Sequence, residues 1–266
     1  MKPITLRTLR DMKARGEAIS CLTCYDASFS AAMARAGVEV LLIGDSLGMV
    51  LQGHNSTLPV TVADMAYHTT AVARGNQQSL IMADLPFMSY ATIEDTLANA
   101  AALMRAGAHM VKLEGGSWLS DSVRLMTQGG IPCCVHLGLT PQSVNVFGGY
   151  RVQGRDEASS TKLLEDARNV VAAGAAMILL ECVPTDLAKR VQETVDVPVI
   201  GIGAGPHCDG QVLVVHDMLG IHSGKPARFV KNFLSCSDGS IEGAFRSYIE
   251  QVKSGEYPAP EHAFAE

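Results

Sequence analysis

One phrase recurs three times along this chain and restricts what it can fold into. Ala36-Gly37-Val38-Glu39-Val40-Leu41-Leu42-Ile43-Gly44-Asp45 returns as Ala106-Gly107-Ala108-His109-Met110-Val111-Lys112-Leu113-Glu114. It returns again as Ala173-Gly174-Ala175-Ala176-Met177-Ile178-Leu179-Leu180-Glu181. In each copy a helix ends at Gly, which relieves the left-handed backbone that terminates it. A short apolar run follows, of the length and character of a strand buried on both faces. Each copy then closes on a carboxylate. The copies start at residues 36, 106 and 173, leaving room for two β/α units in each interval.

Other apolar runs supply the missing strands: Ile19 to Cys24, Ser79 to Asp84, Ile131 to Leu137 and Val197 to Gly203, with Ala227 to Phe233 as a candidate eighth. Helical periodicity fills the gaps at Ser28 to Ala36, Val62 to Arg74, Thr92 to Arg105, Leu119 to Gln128, Ser160 to Ala173 and Thr185 to Thr194. Strands alternating with helices through short turns give parallel strands joined by right-handed crossovers. Eight such units close most simply into a (β/α)8 TIM barrel, and a doubly wound open sheet is the alternative. The 266 residues fit one barrel domain, residues 1–266, ending in a helical tail that opens near Glu242. The longest irregular stretches, Leu47 to Thr61 and Gly138 to Glu157, are expected to be lids or binding loops.

Apolar residues make up 47% of the chain and charged ones 18%, which suits a large two-layer core. A formal charge of −6, with no run of basic residues longer than two, argues against a nucleic-acid surface or a polybasic membrane patch. Met1 to Arg15 has no apolar stretch, so no signal peptide is expected there, and no apolar run is long enough to span a bilayer. Seven cysteines without framework spacing fit a reducing, cytosolic compartment. Cys21 and Cys24 imitate a CxxC motif. On a strand, however, residues three apart point to opposite faces, so the pair predicts two core thiols rather than a chelate.

The active site of such a barrel lies at the carboxyl ends of its strands. Those ends predict Asp45, Asp84, Glu114, His136 and Glu181. Four carboxylates at one mouth repel unless neutralised, and a divalent cation with all-oxygen ligation favours Mg²⁺ or Mn²⁺. Asp26, just after the first strand, is better read as a helix cap. Lys112 stands two residues before Glu114, so both side chains share one face. A lysine inside an apolar strand needs an anion, either a substrate oxygen or a neighbouring acid. His136 suits either a substrate oxygen or a satisfied core position, and Ser46 either a substrate carboxylate or a helix cap. Gly201-Ile202-Gly203-Ala204-Gly205-Pro206 imitates a dinucleotide fingerprint, with Pro206 where the third Gly belongs. In a barrel it occupies a common anion-binding loop.

Long segments resemble the ketopantoate hydroxymethyltransferase family. They are Gly44-Asp45-Ser46-Leu47-Gly48-Met49, Gln52-Gly53-His54, Ser56-Thr57-Leu58-Pro59-Val60-Thr61, Ala83-Asp84-Leu85-Pro86-Phe87-Met88, Val111-Lys112-Leu113-Glu114-Gly115-Gly116, His136-Leu137-Gly138-Leu139-Thr140-Pro141-Gln142 and Gly201 to Gly205. The likeness runs in consistent order from about Ile4 to Pro258. Asn55 stands where the family pattern has Asp, and Cys24 where it has Ala. The resemblance implies a barrel that uses Mg²⁺ and takes a 2-oxo acid and a folate as its small-molecule partners. It further implies transfer of the one-carbon unit of 5,10-methylenetetrahydrofolate to 3-methyl-2-oxobutanoate, giving 2-dehydropantoate on the way to pantothenate. It implies Asp45 and Asp84 as direct metal ligands and Glu114 as an acid holding the ion through water. Ser46 and Lys112 then contact substrate, Glu181 is the general base, and bacterial members form homo-oligomers, decamers. Two other activities share these residue types: a Mg²⁺-dependent C–C lyase acting on a 2-oxo or 2-hydroxy acid, and a sugar-phosphate enzyme gripping through the loop after Ile202.

Overall fold

The computed structural model describes residues 2–221 and 224–264. Its elements run α1 (Leu6–Ala14), β1 (Ile19–Thr23), α2 (Ala27–Ala36), β2 (Val40–Ile43), α3 (Leu47–Val50), α4 (Val62–Gly75), β3 (Leu80–Asp84), α5 (Ile93–Arg105) and β4 (Met110–Glu114). They continue through α6 (Ser120–Gln128), β5 (Cys133–Gly138), α7 (Val144–Phe147), α8 (Glu157–Ala172), β6 (Met177–Glu181), α9 (Thr185–Thr194), β7 (Val199–Ile202), β8 (Gly210–Leu213), α10 (Val215–Met218) and α11 (Ile241–Ser254). The eight strands form a closed barrel in sequence order, every pair parallel and β8 closing on β1 with Ile19 opposite Gly210. This is the expected (β/α)8 architecture, and the open-sheet alternative is excluded.

The three repeated phrases are β2, β4 and β6, each entered through a glycine at positive φ: Gly37 at 99°, Gly107 at 114° and Gly174 at 114°. Their apolar residues are buried on both faces because the barrel interior lies on one side and the helix ring on the other. Full burial of side chains such as Leu22, Leu41, Ile43 and Leu80 stabilises the fold by about 1.5–3 kcal/mol each.

The eighth strand differs from expectation. It is Gly210–Leu213, whereas residues 227–233 lie in turns whose Phe229 and Phe233 pack into the core. The physical reason is the crossover. β7 reaches β8 through residues 203–209 alone, with no helix to announce a further unit. Gly203 at φ 60° and Gly205 at φ 79° reverse the chain within that short span. A Cβ on Gly203 would stand 2.7 Å from Phe229, and one on Gly205 would stand 2.6 Å from the Thr185 hydroxyl. The glycine-rich motif forms the close-packed crossover between β7 and β8.

Helix positions differ as well. α1 precedes β1 where the sequence reading places no helix, and Thr5 and Thr8 cap it reciprocally. α8 begins at Glu157 rather than Ser160 because Asp156 and Ser159 form a capping box there. Asp26 caps α2 as expected, its Oδ1 accepting from the Ser28 and Phe29 N–H groups. The tail helix α11 packs on α2 and β1, and its Tyr248 hydroxyl donates to the Gln211 carbonyl at 2.8 Å. All seven cysteines are free thiols. Among the described residues, no helix is long and apolar enough to cross a membrane.

Candidate active site

Strand ends place the site. Asp45 and Ser46 follow β2, Asp84 and Glu114 end β3 and β4, Lys112 lies within β4, His136 within β5, and Glu181 ends β6. All seven predicted residues line one cavity of about 430 Å³ at the barrel mouth. Asp45, Asp84, Lys112, Glu114 and His136 are buried, while Glu181 is half-buried at the rim.

The charged side chains interlock. Lys112 Nζ is 3.1 Å from Asp84 Oδ1 and 3.9 Å from Glu114 Oε1. The closer contact is an ion pair rather than a hydrogen bond, since Asp84 Oδ1 has no well-aligned donor. Asp84 Oδ2 instead accepts from the Asp45 N–H at 3.0 Å. His136 bridges β4 and β6, with Nδ1 at 3.3 Å from Glu114 Oε1 and Nε2 at 3.4 Å from Glu181 Oε2. Register explains the bridge: Glu114 pairs with His136 across one seam, and Gly138 with Glu181 across the next.

These surroundings shift the acid–base groups. Burial, then the Asp84 and Glu114 charges, raise Asp45 well above the usual carboxylate range. Burial raises Asp84 too, although Lys112 and the Asp45 N–H pull the other way. For Glu114 burial is outweighed by the adjacent His136 ring, by Lys112 and by the Gln142 N–H, so its pKa is lowered. Burial works against the Lys112 ammonium, yet Asp84, Glu114 and Asp45 more than offset it and hold its pKa above the ordinary lysine value.

Ser46 directly precedes α3 but makes no side-chain cap there. Its Oγ instead lies 2.8 Å from the Tyr25 hydroxyl, which removes the capping alternative and aims the group into the cavity. Gly44 is needed beside it, because a Cβ there would sit 2.7 Å from Ser46 Oγ. Asn55 is exposed on the loop before α4 and lines no part of this cavity.

A divalent cation fits this donor set. With all three ionised, Asp45, Asp84 and Glu114 carry three negative charges against the one on Lys112, and two remain to be balanced. Among the described residues, no three His, Cys, Asp or Glu side chains close into a metal cage. One or two carboxylates with positions left for water and substrate oxygens is the set that Mg²⁺ takes. Both Glu114 oxygens already have partners, Oε2 accepting from the Gln142 N–H at 2.9 Å and Oε1 facing His136 and Lys112. This leaves Asp45 and Asp84 as the acids nearest to direct ligation.

Three residues of the site carried no role in the sequence. Gln142 joins the Asp45 and Glu114 carboxylates, Tyr90 holds Gln142, and Tyr25 holds Ser46. Gln142 closes the quoted His136 to Gln142 segment, and its place after Thr140-Pro141 in a strand-end loop was the available signal. Tyr25 directly follows the first strand. Tyr90 lay in an unremarkable turn and gave no signal.

Residues 3–260 match the family model described as ketopantoate hydroxymethyltransferase. A 3-methyl-2-oxobutanoate hydroxymethyltransferase of Stutzerimonas stutzeri is 61% identical over 266 residues, covering 100% of both chains. One from Yersinia enterocolitica is 59% identical over 264 residues, 99% of this chain and 100% of the relative. Among solved structures, phosphonopyruvate hydrolase in complex with oxalate and Mg²⁺ matches with a TM-score of 0.60 at 10% identity, over 79% of this chain and 80% of that one. A 2,3-dimethylmalate lyase of the PEP mutase/isocitrate lyase superfamily matches with a TM-score of 0.55 at 14% identity, over 78% and 80%. At such identities the structural likeness speaks for the fold alone.

Proposed function

We propose that this chain, which belongs to the ketopantoate hydroxymethyltransferase family, transfers a hydroxymethyl group from 5,10-methylenetetrahydrofolate to 3-methyl-2-oxobutanoate through a Mg²⁺-stabilised enolate, giving 2-dehydropantoate for pantothenate synthesis. The observation that carries the reading is one cavity lined by two ligand-grade acids, a buried lysine and a half-buried acid set apart from them.

Asp45 and Asp84 would hold the ion, and Glu114 would reach it through water. When bound, Mg²⁺ supplies positive charge for the oxygens of the 2-oxo acid. Lys112 pairs with the same anion from the barrel floor, and the Ser46 hydroxyl hydrogen-bonds its carboxylate. Glu181 removes the proton from C3, and the electron pair left behind spreads onto the carbonyl oxygen. Leu42, Leu179, Ile202 and Val212 line the cavity and offer apolar surface to the two methyl groups. Water takes the place of both folate nitrogens on the one-carbon unit, releasing it as formaldehyde and freeing tetrahydrofolate. The C3 carbon then bonds to the formaldehyde carbon as the C=O π bond opens, and the new alkoxide takes up the proton removed from C3.

The same reading takes residues 1–266 as one barrel domain with a helical tail, working in the cytoplasm as a homo-oligomer, a decamer by family resemblance. Light scattering on the purified protein tests the assembly. The activity is tested with purified protein, the 2-oxo acid, Mg²⁺ and methylenetetrahydrofolate, with the product identified by mass. Formation of 2-dehydropantoate only when folate and Mg²⁺ are both present supports the reading. Cleavage of a 2-oxo or 2-hydroxy acid without folate would replace it with a lyase.

A further inference from the structure

Gln142 takes no part in the chemistry above, yet all its polar atoms but the carbonyl oxygen are committed around the two acids. It is 5% exposed, in the short 3₁₀ turn Pro141–Ser143 after β5. Its backbone N–H donates to Glu114 Oε2 at 2.9 Å. Its side-chain Nε2 donates to Asp45 Oδ2 at 2.8 Å and to the Leu85 carbonyl at 3.0 Å. The buried Tyr90 hydroxyl donates to Oε1 at 2.5 Å and receives the Glu114 N–H at 3.3 Å. Partners fix the orientation of the carboxamide. Both neighbours of the nitrogen are acceptors, and a flip would press its oxygen against a carboxylate and a carbonyl.

The turn after β5 thus reaches the ends of β2, β3 and β4 through one residue. An unclamped aspartate at the barrel mouth rotates about two side-chain bonds, and holding one of its oxygens fixes where the other points. The Leu85 bond ties the clamp to the backbone just past Asp84, so the two acids are set relative to each other and not merely each in place.

We infer that Gln142, oriented by Tyr90, is a positioning residue that sets the Asp45 and Glu114 carboxylates for the divalent cation, leaving Asp45 Oδ1 outside the clamp. This rests on the metal reading given above. Partners that orient ligand carboxylates typically govern metal affinity by roughly 10- to 100-fold.

The test is Mn²⁺ binding by the metal-free full-length protein, followed by electron paramagnetic resonance of the free ion with no substrate present, alongside thermal unfolding. Gln142→Met keeps the length and removes both donors. It is expected to weaken Mn²⁺ binding by roughly 10- to 100-fold while unfolding stays cooperative. Tyr90→Phe, which removes only the orienting hydroxyl, is expected to weaken it in the same direction by less. A role in packing alone would lower the melting temperature and leave Mn²⁺ affinity alone, and that result in folded Gln142→Met overturns the inference. If Gln142→Met does not fold, Tyr90→Phe decides, with unchanged Mn²⁺ affinity again overturning it. Should the folded wild type bind no Mn²⁺, the metal reading itself fails and this role goes with it.

Discussion

His136 Nε2 stands 3.4 Å from Glu181 Oε2, so the proposed base at the rim is tied through one imidazole to the acid cluster below. The other ring nitrogen faces Glu114 at 3.3 Å. Burial and the Lys112 charge lower the His136 pKa, but the Glu114 and Glu181 carboxylates beside the ring outweigh them and raise it overall. A ring held between two carboxylates stands in contact with both.

Glu181→Gln keeps the shape and the His136 contact while removing the base. The rate of transfer is expected to fall roughly 10²- to 10⁴-fold, with Mg²⁺ and 2-oxo acid affinities almost unmoved. Exchange of the C3 proton with deuterated water, followed by NMR without folate, isolates the step. Full-speed exchange in the variant would move the role to another group, His136 first.

Lys112→Met keeps the apolar stem and deletes the charge. Losing a hydrogen-bonded charge partner is expected to weaken 2-oxo acid binding about 10- to 100-fold, from the roughly 1.5–3 kcal/mol that such contacts contribute. It also leaves three buried acids without their ammonium, a loss of about 3–5 kcal/mol in the metal-free protein. Added Mg²⁺ should recover part of that stability. Calorimetry with and without substrate and metal checks both effects, and normal substrate binding would leave Lys112 a structural ion-pair partner only.

The repeated phrase made most of this legible, because a strand buried on both faces is spelled in one apolar run and its carboxyl end is marked by the next charged residue. Asp45, Glu114 and Glu181 are those marks, and Asp84 ends a strand of the same kind. What escaped depends on contacts between distant segments. Gln142 and Tyr90 matter because the turns after β3 and β5 fold over the same mouth; the strand-end loop hints at Gln142, but nothing local records its meeting with Tyr90 or Asp45. β8 escaped for a different reason. The periodic signal of a β/α unit needs its helix, and residues 203–209 replace that helix with two glycine reversals.

The crossover yields its own prediction. A Cβ on Gly210 would lie 2.3 Å from the Ile19 carbonyl oxygen and 2.8 Å from Ile200 Cδ1, at the seam where β8 closes the barrel. Backbone on one side cannot yield, so Gly210→Ala is expected to cost at least about 1–3 kcal/mol. Urea unfolding measures it, and a midpoint equal to wild type would mean that the seam relaxes without strain.

Metal-free protein should respond to pH in a way set by Asp45 and Asp84. Both are buried acids with folded pKa values above their ordinary range, so the folded state holds protons that the unfolded chain has released. For such groups stability falls as pH rises from the unfolded pKa through the folded one. Without divalent cation, the contribution of these two acids therefore grows as pH drops from their raised folded values toward the ordinary aspartate value of about 3.9. Acids with lowered pKa, such as Asp166 held by Ser117 and Lys162 against the effect of its burial, work in the opposite direction. The total slope alone is therefore uninformative. Asp45→Asn isolates the part of interest, since it removes one raised acid and leaves Asp166 in place. The difference in melting temperature between Asp45→Asn and wild type is expected to widen with rising pH, the variant gaining because mutual repulsion with Asp84 is gone. Saturating Mg²⁺ should reverse the order, stabilising wild type most at high pH, where no proton competes for the ligands. Metal-dependent activity should be lost in both Asp45→Ala and Asp84→Ala while each barrel stays folded. Melting curves that run parallel across pH for wild type and Asp45→Asn, with and without Mg²⁺, would remove Asp45 from the proposed ion site.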